Sequence, residues 1–136
     1  MKKLNSHSNR FASLALFIIC FSTADAFQTR TPKPGTPERK AIMDALRQPV
    51  MKVVKQKVIF NVGHLKVEDG WAFMMGNAVK EDGSSLGDEF LWGEVSALLR
   101  LKSGKWEVLQ WSFATDTSGM EEAMSKYPAA PRSIFP

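Results

Sequence analysis

Between residues 89 and 113, apolar and polar positions alternate on either side of Ser103-Gly104, the pattern of a β-hairpin closed by a two-residue turn. Such a turn sets Leu101 opposite Trp106, Arg100 opposite Glu107, Leu99 opposite Val108 and Leu98 opposite Leu109. The apolar pairs Leu101-Trp106 and Leu99-Val108 then share a face, and Arg100 meets Glu107 on the other. Sliding by one residue would bring Leu99 against Glu107, so burial selects this register. Lys102 and Lys105 flank the turn as like charges, and both are long enough to splay into solvent. Carried on without interruption, the alternation puts Leu109, Trp111 and Phe113 with Leu98 on the face opposite Trp106. Both faces of the hairpin are therefore apolar for part of its length.

A second hairpin precedes it. Residues 57–67 are rich in β-branched and apolar side chains, and Asp69-Gly70 is a strong two-residue turn signal that pairs Glu68 with Trp71. The return strand covers 71–79, with Gly63 and Gly76 marking a bulge or bend. Residues 80–89 are polar and glycine-containing, which predicts a surface loop between the hairpins.

Upstream, Thr36-Pro37-Glu38 combines an N-cap hydroxyl, a proline where no amide donor is needed and an acid near the positive end of the helix dipole. Ile42, Ala45 and Leu46 recur at helical spacing behind this start. Pro49 predicts that the helix ends or kinks near Arg47 or Gln48, with 50–54 adding a further turn. Residues 27–35, with two prolines and a glycine, predict an extended, mobile leader. At the other end, Asp116, Thr117 and Ser118 can cap a short helix carrying Met120, Ala123, Met124 and Tyr127. Pro128 stops it, and the extended tail carries Ile134 and Phe135, apolar enough to dock on the body. The expected fold is α+β: an N-terminal helix on a bent antiparallel sheet of about four strands, then a short C-terminal helix and tail, as a single domain over 36–136.

Residues 1–26 change the picture of where this domain works. Lys2, Lys3 and Arg10 precede an apolar run over 11–21 and then Ala24-Asp25-Ala26, the three parts of an export signal, with cleavage expected after Ala26. The run is about half of the ~20 residues that a membrane-spanning helix needs, so no membrane span is expected in the mature chain. Ile19 stands before Cys20 where a lipoprotein signal has a small residue. Cleavage removes that only cysteine, which leaves stability in an oxidising compartment to the core alone. It also takes three basic residues and one acidic residue from a formal charge of +4, leaving about +2. Lys52, Lys55 and Lys57 form a local cluster only, so no nucleic-acid partner is expected. The expected address is periplasmic or secreted.

The segments TPERKAIMDALR, LKVEDGWAFM and ALLRLKSGKWEVLQW, with the closing KYPAAPRSIF, resemble a family of small exported bacterial proteins of unknown function. The resemblance covers nearly the whole mature chain. It rests on caps, turns and tryptophans, and so implies a fold and an address but no catalytic residues. One helix and four strands are also the content of cystatin-like and nuclear-transport-factor-2-like domains.

Candidate chemistry is sparse. His64 is the only imidazole after His7 leaves with the signal, no nucleophile-elbow motif exists and no cysteine remains, so no catalytic set is assigned. One histidine without thiolates is a poor start for a metal site, and Asp82, Asp88 and Glu89 miss the calcium-loop spacing; neither metal nor cofactor is expected. The four tryptophans carry the remaining signal. Trp71 and Trp106 each follow a turn, which points to packing, whereas His64, Trp92, Trp111 and Tyr127 are candidates to line a ligand-binding pocket at an open end of the sheet. In the competing arrangement the C-terminal helix and the Ile134, Phe135 tail fill that space. The expected function is a non-enzymatic binding or accessory module of the bacterial envelope, with an envelope protein or a small apolar ligand as partner. The alternative is a small pocket enzyme of nuclear-transport-factor-2-like type, in which His64 and a carboxylate move protons.

Overall fold

The computed structural model describes residues 28–90, 93–113 and 116–136. The export signal and Trp92 lie outside the described residues. The order is α1 (Pro37–Val54), β1 (Ile59–Glu68), β2 (Trp71–Val79), β3 (Glu94–Lys102), β4 (Lys105–Phe113) and α2 (Ser118–Lys126), with a 3-10 turn at Arg132–Ile134. The four strands form an antiparallel sheet in the order β1-β2-β3-β4. This is the α+β arrangement that the sequence predicts.

Helix α1 starts as its residues dictate, with the Thr36 hydroxyl accepting from the Arg39 amide and Pro37 opening the first turn. It does not end at Pro49. The helix runs on to Val54 and closes at Lys55, which is left-handed at φ 58° and returns its amide to the Met51 oxygen. A proline inside a helix costs about 3 kcal/mol. Val50 is fully buried and Val54 nearly so, and each buried valine returns about 1.5–3 kcal/mol, so packing on the sheet outweighs the break.

Both hairpin turns are tight and positive in φ: Asp69 and Gly70 at 47° and 70°, Ser103 and Gly104 at 48° and 76°. Glu68 pairs with Trp71, and Leu101, Arg100 and Leu99 pair with Trp106, Glu107 and Val108 as expected. The ion pair differs. Glu107 is met by Lys102 at 3.0 Å, while Arg100 lies 4.6 Å over the Trp71 ring and donates to the Asp69 oxygen. The lysine moves off the turn toward a carboxylate, and the arginine finds an aromatic face.

Two register shifts decide which face each side chain meets. One falls between Val62 and His64, at Gly63, facing a Gly76 whose hydrogen cannot be replaced without a Cβ striking the Asn61 main chain. The other lies in β4: Leu99 pairs with Val108, but Leu98 pairs with Gln110, and Leu109 is the extra residue. The expected Leu98-Leu109 pair is therefore absent. Trp111 and Phe113 return to the face of Trp106 and Val108, where uninterrupted alternation would have put them on the opposite one.

Each sheet face has its own cover. Ile42, Met43, Leu46, Val50 and Val54 of α1 pack over Leu65, Val67, Ala72, Met74, Val95, Ala97 and Leu99. On the reverse face Trp71, Phe73 and Leu98 meet Ala123 of α2 and Ala130, Ile134 and Phe135 of the tail. Gly119 lets α2 approach closely, because a Cβ there would collide with the hydroxyls of Ser96 and Ser112, which bond each other at 3.1 Å. The leader is extended but fastened: Arg30 exchanges two main-chain hydrogen bonds with Val67, and the Thr29 hydroxyl donates to Glu68.

Candidate functional site

The shift at Gly63 turns His64 to the reverse face. There Nε2 lies 2.7 Å from the Ile134 oxygen and the ring meets Phe73 edge-on at 6.2 Å. Tyr127, at the end of α2, lies on the same face, its hydroxyl donating to the Leu109 oxygen at 3.2 Å and its ring 6.4 Å from Trp71. Ile134 is fully buried and Phe135 nearly so, the latter 4.6 Å from Phe73. The tail occupies the space that an aromatic pocket around His64 and Tyr127 would need. Nε2 of His64 is satisfied by a backbone carbonyl.

Trp111 stands elsewhere. The β4 bulge places it on the α1 face, so the sheet separates it from His64 and Tyr127. Trp92 lies outside the described residues. Of the four candidates, His64 and Tyr127 thus share a face and Trp111 does not join them.

What Trp111 does line is an open groove of about 580 Å³ between α1 and β4, with Ala45, Gln48 and Pro49 on one wall and Trp106, Glu107 and Val108 on the other. Pro49 lacks an amide hydrogen, so the Ala45 oxygen loses its helical donor, and both residues border the groove. Trp106 and Trp111 are half-buried, each packed on the core along one side. Trp111 also meets Phe113 edge-on at 5.4 Å, which fixes its ring. The groove offers flat apolar surface, indole donors, the Gln48 amide and acceptors at Ala45 and Glu107. Sequence reasoning missed Trp106, Ala45, Gln48 and Pro49 as a set, although a proline inside an amphipathic helical run was a visible irregularity.

The exposed acids are held by local partners. Asp82 accepts from the Ser84 hydroxyl and amide at 2.6 and 2.9 Å, and these bonds keep its carboxyl below the ordinary range; the Ser118 hydroxyl, with the Ser118 amide at 3.0 Å, does the same for Asp116. Glu68 is lowered by the Ser133 and Thr29 hydroxyls. Among the described residues, no group of three or more His, Cys, Asp or Glu side chains could hold a metal ion, and no helix is long and apolar enough to cross a membrane. Compared with family models, curated proteins and solved structures, the chain matches none.

Proposed function

We propose that the protein is an exported, non-enzymatic binding or accessory module of the bacterial envelope, an inhibitor, immunity-like protein or complex subunit, and that it takes a protein partner in the groove between α1 and β4. The observation that carries this reading is the pair of half-buried indoles, Trp106 and Trp111, set beside Pro49 along an open groove. Tryptophans dominate the energetics of protein interfaces, and a rigid ring loses little entropy on contact. A small apolar ligand needs most of its surface enclosed, which favours a protein side chain as the occupant of an open groove. The envelope address rests on the signal pattern of residues 1–26 and on the resemblance to small exported bacterial proteins. The acid-base alternative lacks its second member, because among the described residues no carboxylate is hydrogen-bonded to His64, whose Nε2 meets the Ile134 carbonyl instead.

The test uses tagged protein and its Gln48→Arg variant, which blocks the groove from an exposed helix position, on envelope extract. Recovery of one protein by the parent, and its loss in the variant at unchanged melting temperature, is the expected result. No specific capture, or capture indifferent to the substitution, overturns the reading. Amino-terminal sequencing of the exported chain tests the address separately, with Phe27 expected first.

A further inference from the structure

The opposite flank of α1 carries a different kind of surface. Arg39, Met43 and Arg47 follow one another at four-residue spacing and so form one ridge of the helix, with Lys40 and Asp44 beside it. Facing this ridge is the turn that ends the leader. The Lys33 oxygen accepts both the amide and the hydroxyl of Thr36, and Gly35 at φ 84° closes the turn. Between ridge and turn lies a groove of about 300 Å³ lined by Pro34, Gly35, Arg39, Lys40, Met43 and Arg47.

Its two guanidinium groups are held in place by the main chain. Arg39 donates through Nη1 to the Pro32 oxygen at 3.1 Å, and Arg47 through Nε to the Val58 oxygen at 3.1 Å. Neutral carbonyls fix these side chains without cancelling their charge, so less rotamer freedom remains to be lost when an anion arrives. Among the described residues Asp44 is the carboxylate bonded to them, and it is shared by Lys40 and Arg47. Glu38, next to Arg39 in sequence, pairs with Arg30. Three cations around one carboxylate leave an excess of two positive charges.

We propose that this groove binds a phosphate group carrying two negative charges, with Arg39 supplying a fork through Nε and Nη2, Arg47 its remaining Nη2 donors and Lys40 a point charge. The match of charge selects a phosphate monoester or diphosphate over a single carboxylate, and guanidinium forks suit its oxygens. A soluble phosphorylated compound and a lipid phosphomonoester headgroup share this chemistry. The site lies on the other flank of α1 from the tryptophan groove and does not depend on the function read there.

The experiment titrates the purified protein with inorganic phosphate and pyrophosphate by calorimetry, and in parallel sediments it with phosphatidylcholine vesicles with and without phosphatidic acid. Saturable binding is expected, weakened roughly tenfold by Arg39→Gln or Lys40→Gln and unchanged by Lys105→Gln, which removes the same charge at the distant hairpin tip. Lys40 has a mostly exposed side chain, so its variant reports on the groove even if Arg39→Gln loosens the leader. Saturation by the soluble anions alone identifies a free phosphorylated compound, and added retention by phosphatidic acid that Arg39→Gln abolishes identifies a headgroup. Failure of both phosphate and pyrophosphate to saturate at millimolar concentration, or equal weakening by Lys105→Gln, overturns the proposal.

Discussion

His64 Nε2 and the main-chain oxygen of Ile134 meet at 2.7 Å across seventy residues of sequence. A carbonyl oxygen only accepts, so Nε2 carries the proton and donates it. This bond clamps the tail over Phe73 at the point where Ile134 is fully buried. Replacing His64 by Ala should destabilise the protein by about 1 kcal/mol in urea unfolding, with added loss from the ring contact to Phe73. Amide exchange near Ile134 and Phe135 should quicken more than exchange in α1. Equal quickening in both would mean that the bond does not act locally.

Gly119 gives a test in which the sign is informative. Gly119 is the second residue of α2, where Gly→Ala normally stabilises by up to about 1 kcal/mol. Here the new methyl would meet the hydroxyls of Ser96 and Ser112, and overpacking typically costs about 1–3 kcal/mol, so Gly119→Ala should destabilise. Adding Ser96→Ala and Ser112→Ala should recover most of the loss, a non-additive result expected of groups in contact. Thermal denaturation of the parent, Gly119→Ala, the double serine variant and the triple variant measures it.

Pro49→Ala separates stability from recognition. The substitution gives the Ala45 oxygen its helical donor, at the loss of proline's restriction of the unfolded chain, for a net gain of about 2 kcal/mol. The same change removes the proline ring from the wall of the tryptophan groove. A higher melting temperature with weaker partner capture is the expected combination.

Glu68 fastens both ends of the chain, accepting from Thr29 in the leader and Ser133 in the tail, and these hydroxyls hold its carboxyl below the ordinary 4.5. A lowered acid stabilises the fold above its unfolded value and loses that contribution as pH falls through the folded one. Stability assigned to Glu68 should therefore be constant above about pH 4.5 and decline below it. Glu68→Gln should flatten this acid limb in melting curves measured against pH. An unchanged limb would assign the decline to other carboxylates.

The hairpins, their turns and the start of α1 were legible because each depends on a few neighbouring residues: Asp69-Gly70, Ser103-Gly104 and Thr36-Pro37 carry their geometry locally. At Pro49 the local pattern left an end or a kink with a further turn over 50–54; the burial of Val50 and Val54 that decides for continuation is made by the sheet. The bulge at Leu109 has no glycine to mark it, and one extra residue moved Trp111 from the face expected for a pocket to the groove beside α1. His64 and Tyr127, expected to line a pocket, share the face that the tail covers, and Ile134 and Phe135 pack there as in the competing arrangement. The leader's attachment to Val67 is a tertiary contact that its prolines gave no sign of.

The extra residues at Gly63 and Leu109 sit in β1 and β4, the two outermost strands. Each breaks the straight row of amides and carbonyls that another chain would need in order to zip on, and Arg30 already occupies part of the first row. Filament growth by strand addition is thereby discouraged at both margins, and concentrated protein should stay dispersed.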